Sequence, residues 1–555
     1  MPNLILGPLL RYTGESDATV WVETDGPCEV EVVAGGSSHR ARTFHVEGHY
    51  YALVRVVDLE PGTYYEYSVV LDGERRWPEA DAGFPPSFIR TIDPQRPFKL
   101  AFGSCRITLP QKPPYTLKKD QDKRGRGADA LYALAETIRH ELPPETDAWP
   151  DALLLLGDQV YADEVSLGTL EFIRSRRNPK DGPGETVATF EEYTHLYYDS
   201  WGEPEIRWIL STVPSAMIFD DHDVHDDWNT SQVWVEKMRA TPWWEERITG
   251  GLMSYWIYQH LGNLSPRELD NDETYHKVCE AEDAGPLLRR FARDADWEAA
   301  GKRWSYYRDF GKVRLLVADT RAGRVLAEEC RSIIGDEEWV WIENHASGDF
   351  DHLLIGTSLP FLVPPALHHA ETWNEALCGG AWGTLAAKLG EILRQAVDLE
   401  HWSAFGRSFE KLVALLRTVG SGRADADPPA AIIVLSGDVH HGYLAEADLG
   451  ADEVQSVVYQ AVCSPMRNTL GRAERLAMRF GWSRPGKALW RTLARLAGAR
   501  ETDIAWRLLH EEPWFENHIG TLELRGREAS LKIEQPSSQA PEGQHLHKVF
   551  EYRLT

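Results

Sequence analysis

The sequence has no run of 18 or more apolar residues, so no membrane-spanning helix is expected. Residues 1–8 carry no basic n-region and no twin arginine, and their apolar stretch is too short for a signal h-region. The chain therefore reads as soluble and cytoplasmic. Positive charge is scarce: 59 basic against 86 acidic residues give a formal net charge of −27. A nucleic acid is not expected as a stable partner, because that needs a basic surface. Cysteine is sparse too. Cys28, Cys105, Cys279, Cys330, Cys378 and Cys463 lie far apart with no CxxC, and they read as reduced, mostly buried thiols, with Cys105 set aside. There is no Gly-x-Ser-x-Gly elbow and no Walker loop. Internal repeats and long low-complexity tracts are also lacking.

What is abundant is acid in one place. Residues 218–227, Ile-Phe-Asp-Asp-His-Asp-Val-His-Asp-Asp, set five Asp and two His behind an apolar run. Crowded carboxylates repel, and bound cations would offset that cost. Two other segments share the build. The apolar run 152–156 leads into Gly157-Asp158-Gln159-Val160-Tyr161, and 432–436 leads into Gly437-Asp438-Val439-His440-His441. Each reads as a buried strand whose carboxyl end delivers polar side chains, where α/β sheets bind ligands.

Length and a 43% hydrophobic content allow a sizeable core. Residues 1–92 alternate apolar and polar, as in Thr19-Val20-Trp21-Val22-Glu23-Thr24, with turn signals such as Asp25-Gly26-Pro27 between runs. This pattern predicts a small N-terminal β-sandwich. Residues 93–97 read as a linker. From residue 98 to 555 apolar strands recur with helical stretches between them, which is α/β architecture. Residues 232–300, rich in Trp and charge, read as a helical insertion.

A fourth motif, Gly103-Ser104-Cys105-Arg106, follows the apolar stretch 98–102. The ordered set Gly103-Ser104-Cys105, Gly157-Asp158-Gln159-Val160-Tyr161, Asp220-Asp221-His222-Asp223 and Gly437-Asp438-Val439-His440 resembles the PhoD-like (alkaline phosphatase D) branch of the calcineurin-like metallophosphoesterases. Val317-Ala318-Asp319-Thr320-Arg321 and Cys463-Ser464-Pro465 add to the resemblance. It implies an αββα sandwich behind the β-sandwich, and phosphomonoester or phosphodiester hydrolysis by a metal-activated hydroxide. It implies a dinuclear site in which Asp158 bridges two cations and Cys105, Tyr161 and His440 hold the first, ferric iron. Asp221 and Asp438 also contribute, Asp221 on the second cation. That cation is calcium by resemblance, with manganese or magnesium as alternatives. By position, His222 matches the histidine that assists leaving-group departure. The donor types agree with this assignment: thiolate and tyrosinate need a strong Lewis acid, whereas carboxylate positions suit a hard divalent ion.

Arg106 is placed in the catalytic group with His222 and Asp158, and Arg106 and Arg321 either contact phosphate or balance buried carboxylates. Asp163 and Asp220 support the ligands or serve turns. His225 and His441 are surface or packed histidines, and His368 and His369 could line the cleft. Asp226, Asp227 and Asn229 cap a helix, form turns or hold a further cation. Residues 467–507 carry ten Arg or Lys interleaved with apolar positions. They read as a solvated helical face, a peripheral membrane contact or a positive rim that steers anions. The rival functions are a phospholipase-type diesterase at membranes and a non-catalytic binding protein with a vestigial metal site.

Overall fold

The computed structural model describes the chain except residues 81–82, 142–148, 298–301, 423–425, 451–453 and 538–543. Near the N-terminus a four-stranded and a five-stranded antiparallel sheet face each other. The alternation read in the sequence decides what each face buries. In Ala18–Thr24, Val20 and Val22 enter the sandwich core, while Trp21 points the other way. In His49–Val56, Ala52 and Val54 likewise face inward, and Tyr51 and Leu53 face out. Trp21 and Tyr51 pack on Tyr258, and buried Arg11 donates from Nη2 to Gln259 O at 2.8 Å. One sheet of the sandwich thus carries a second apolar face that seals it to the rest of the chain.

The remainder is built on two large sheets. One has six strands in the order Ser215–Ile218, Ala152–Leu156, Phe98–Gly103, Ile519–Arg525, Glu528–Pro536 and Leu546–Arg553. The other has seven, in the order Tyr306–Phe310, Val313–Ala318, His352–Thr357, Ala431–Ser436, Val457–Val462, Tyr443–Asp448 and Ala505–Leu508. Phe98–Gly103, Ala152–Leu156 and Ser215–Ile218 are parallel, as are the four strands from Val313–Ala318 to Val457–Val462. These strands are almost wholly buried, which is why they read as unbroken apolar runs. The sheets face each other: a Cβ on Gly356 would meet Leu154 and Leu156 of the opposite sheet at 3.5 and 3.3 Å. Helices cover the outside, for example Ala130–Ile138 against Leu546–Arg553. Residues 232–297 are mainly helical, from Gln232–Arg239 to Gly285–Trp297, and residues 298–300 lie outside the described set. The fold is α/β, an N-terminal β-sandwich followed by an αββα sandwich.

Residues 467–507 form the amphipathic helices Arg472–Trp482 and Arg484–Leu496. Most of their cations already have acidic partners. Arg472 pairs with Asp120, Arg475 with Glu516, Arg479 with Glu512, Arg491 and Arg495 with Glu501, and Arg500 with Glu410. Arg467 is buried and donates to the carbonyls of Leu109 and Pro110.

Candidate metal centre

The loops that follow Phe98–Gly103, Ala152–Leu156, Ser215–Ile218 and Ala431–Ser436 converge at one end of the paired sheets. Two glycines permit the approach. A Cβ on Gly437 would lie 2.0 Å from Ser104 Oγ, and one on Gly157, at φ +99°, would lie 2.5 Å from Asp220 Cβ. Cys105, Asp158, Asp438 and His440 all hold left-handed φ, at 54°, 54°, 66° and 50°. For non-glycine residues this costs about 1–3 kcal/mol each, and such residues cluster where side chains must be aimed.

Four overlapping groups of donor atoms result, within each of which all atoms lie within 4.8 Å of one another; Asp163, His222 and Asp226 form one at the rim, and three form the centre. Cys105, Asp158 and His440 form one, Asp158, Asp221 and His222 the second, and Asp220, Asp221 and Asp438 the third. Asp158 belongs to two of them and Asp221 to two. Tyr161 sits beside them: its ring stacks on His222 at 4.5 Å between centroids, and its hydroxyl accepts from Asn468 Nδ2 at 3.4 Å.

The electrostatics fit a cation. Burial pushes the Cys105 thiol well above its ordinary pKa, and Asp158 and Asp438 add to the rise. The Tyr161 phenol moves the same way, through burial and then Asp158 and Cys105. Burial also drives Asp158 up, opposed by His222 and reinforced by Asp221. Burial lowers His440 to about 4, leaving the neutral imidazole that a metal requires. Asp158 Oδ1 and Asp221 Oδ1 are buried and receive no hydrogen bond. Buried carboxylate oxygens ordinarily have donors, and a bound cation would oppose the upward shifts of Cys105, Tyr161 and Asp158 while keeping His440 neutral. Ser464 Oγ already donates to Cys105 Sγ at 3.1 Å, a contact suited to a thiolate. The residues present therefore fit a metal.

His222 lies at the rim. Its Nδ1 donates to Asp163 Oδ1 at 2.8 Å, which orients the ring and leaves Nε2 at 3.8 Å from Asp226 Oδ1. Burial pulls its pKa down, but Asp163, Asp221 and Asp158 together hold it well above the ordinary value. Asp163 also accepts from the Asp226 amide.

Arg106 corrects the sequence reading. Its guanidinium is 1% exposed and turned away from the cluster: Nε donates to Asp129 Oδ2 at 2.9 Å and Nη1 to Ser200 O at 3.2 Å, with Glu203 beyond. Asp129 is itself the N-cap of Ala130–Ile138. Arg106 therefore ties a helix start to the sheet, with its guanidinium engaged by Asp129, Ser200 and Glu203. Arg321 takes the balancing role, ion-paired with Asp220 and, at 2.6 Å, with Glu400, and lying 3.4 Å from Asp221. His225 packs among Trp234, Trp243 and Trp244. His441 is buried and donates to Val439 O. His368 lines a different cavity, with Arg331 and Glu375. Asp227 and Asn229 take left-handed turn positions, and Asn229 donates to Arg321 O.

Several site residues were not anticipated. His401 donates from Nε2 to Asp438 Oδ2 at 3.2 Å and from Nδ1 to Glu371 Oε1 at 2.6 Å. Glu400 anchors Arg321 and Arg324. Asp223 accepts the amides of both Asp158 and Asp220, at 2.8 and 2.9 Å, and so fastens two ligand loops together. The run Asp398-Leu399-Glu400-His401 was the available signal, acid and histidine at the end of a helix.

Comparison with known proteins agrees with this picture. A family model described as PhoD-like phosphatase matches residues 139–480, and a domain of unknown function (DUF7800) matches residues 1–89. No curated protein sequence matches the chain. Among solved structures, one titled "Structure of PhoD" is similar at 12% identity and a TM-score of 0.59, covering 99% of this chain and 90% of that one. Purple acid phosphatase PPD1 from yellow lupin (Lupinus luteus) seeds is similar at 12% identity and a TM-score of 0.50, covering 98% of this chain and 73% of that one. At such identity these two likenesses speak to the fold alone. The family model spans more than half of the 555 residues, and the chain belongs to the PhoD-like phosphatase family.

Proposed function

We propose that the chain hydrolyses phosphate monoesters or diesters at a two-cation site. Cys105, Tyr161 and His440 would hold ferric iron, Asp221 and Asp438 would serve a divalent ion, calcium or else manganese or magnesium, and Asp158 would be shared between them. The observation that carries this reading is the membership of Asp158 in two adjoining donor groups, one with thiol and imidazole and one with carboxylate. Bound cations would supply Lewis acidity and lower the pKa of water enough to provide a nucleophile near neutral pH. The chain's own residues do the rest. His401 and Arg321 fix the Asp438 and Asp220 carboxylates, and Asp223 fixes the loops that present Asp158 and Asp221. Asp163 holds His222 as a cation with its Nε2 proton facing the site. As the ester P–O bond breaks, that proton passes to the departing oxygen, and water supplies the new P–O bond.

The test is hydrolysis of p-nitrophenyl phosphate and bis(p-nitrophenyl) phosphate by protein stripped with chelator and then reloaded. Activity should vanish on stripping and return with iron plus a divalent ion. Full activity in metal-free protein overturns the proposal.

Two variants probe the first cation. Cys105→Ser should lower iron content and activity together, because a poorly ionised hydroxyl replaces a soft donor. Wild-type activity at unchanged metal content would make Cys105 a packing residue. Tyr161→Phe should abolish a visible tyrosinate-to-iron absorption band while circular dichroism stays that of the wild type. A band that survives places another donor on the iron.

A phospholipase-type action, with 467–507 as a peripheral membrane contact, is the second reading. It draws on the outward-facing Leu476, Leu489 and Leu496. The acidic partners of Arg475 and Arg479 argue against a free positive face. Neutralising Arg475, Arg479 and Arg484 together should therefore leave KM for anionic esters within about twofold and its salt dependence unchanged. A rise in KM would establish steering, and loss of binding to anionic vesicles would establish membrane contact.

A further inference from the structure

A groove of about 970 Å³ opens beside the acidic run. One end is formed by Asp226 and Asp227. The Asp227 amide donates to Asp221 Oδ2 at 3.0 Å, so this end begins one hydrogen bond from a metal-ligand carboxylate. The other end lies between the helices Gln232–Arg239 and Thr384–Ala396, with Val233 and Met238 on one wall and Ala387 and Ile392 on the other.

The second helix is oriented unusually. It buries only Gly390 and Arg394, and its apolar stripe faces outward, with Leu385 79%, Leu389 66% and Ile392 65% exposed. Spaced four and three residues apart, these side chains lie on one face. Of the three, Ile392 lines the groove, and the stripe runs about 10 Å along the helix from it at 1.5 Å per residue. Val233 on the facing helix is exposed as well. A groove with apolar walls whose mouth, at Asp226, lies 3.8 Å from His222 Nε2 is placed to hold the organic part of the ester. The Asp226 and Asp227 carboxylates at its mouth disfavour a second anionic group there, while further along Glu328 and Glu391 are paired with Arg394, and Lys237 and Lys388 also line the groove.

We infer that this groove binds the alcohol portion of the substrate, and that the preferred substrates are phosphate esters of uncharged, medium-length alkyl alcohols, taken up as dispersed molecules. The inference rests on the phosphoesterase reading. Each methylene moved out of water favours binding, and an open groove captures part of that gain.

The test uses the metal-loaded full chain. The substrates are ethyl and octyl phosphate and the ethyl and octyl p-nitrophenyl diesters, all kept below micelle-forming concentrations. The octyl ester of the hydrolysed series should show kcat/KM at least about tenfold above its ethyl partner, mostly through KM. Val233→Asp and Ile392→Asp, both at exposed positions outside the metal site, should each erase that advantage and leave the ethyl ester unchanged. Equal kcat/KM for ethyl and octyl esters in the wild type overturns the groove assignment while the phosphoesterase reading stands. An octyl preference that survives in both variants overturns it too, because the chain then binds elsewhere. Failure of metal-loaded protein to hydrolyse any of the four overturns the phosphoesterase reading, and this inference with it.

Discussion

Asp158→Asn should remove both cations and reduce turnover by at least about 10³-fold, since Lewis-acid stabilisation is worth several kcal/mol and each 1.36 kcal/mol is a factor of ten. An amide is nearly isosteric with the carboxylate but carries no charge and cannot bridge two ions. Asp158 is buried between the thiol–imidazole group and the Asp221 group. It is also a residue that burial and neighbouring carboxylates drive toward protonation. Removing its charge should therefore stabilise the metal-free fold while destroying the site. The expected pair of results is metal content near zero by elemental analysis and an unfolding temperature in chelator no lower than that of the wild type. If Asp158→Asn keeps one cation at full occupancy, Asp158 serves a single ion and the bridge lies elsewhere.

His222→Ala should keep the metals and slow turnover by roughly 10²–10⁴-fold for esters with poor leaving groups. The loss should shrink for p-nitrophenyl esters, whose leaving oxygen departs without a proton. The hydrogen bond from Nδ1 to Asp163 leaves only Nε2 free to donate. Asp163→Asn should therefore repeat part of the effect by releasing the ring. The acid role of His222, supported by Asp163, sets the sign with pH. The acid form is present below the His222 pKa, so the His222-dependent part of the rate falls as pH rises through it. Equal losses for good and poor leaving groups would leave His222 with phosphate binding alone.

The legible parts of this chain are those where strand chemistry and site chemistry coincide. A strand buried on both faces must be apolar throughout, so Ala152–Leu156 and Ala431–Ser436 stand out in the sequence, and the polar residues that follow mark the carboxyl end of the sheet. Asp158, Asp221, Asp438 and His440 were visible for that reason. Glu400 and His401 were not, because they reach the site from the segment after Thr384–Ala396, and Glu371 was not, because it reaches His401 from the middle of the helix Pro365–Cys378; in both places acid and histidine ordinarily mean solvent. Their role exists only through long-range contacts such as His401 to Asp438. Arg106 failed for the opposite reason. It adjoins Cys105 in sequence, but the left-handed backbone at Cys105 sends the two side chains apart, one to the cluster and one to Asp129. Composition left three roles open for the basic segment, because the acids that match its charge lie as far away in sequence as Asp120 and Glu410.

The most direct test of the two-cation account is the metal content of the purified chain, measured by inductively coupled plasma mass spectrometry after exhaustive dialysis. The account predicts iron near one atom per chain with a comparable amount of one divalent ion, calcium, manganese or magnesium, and loss of both in Asp158→Asn. A chain that retains neither iron nor a divalent ion yet hydrolyses phosphate esters at an undiminished rate would contradict it.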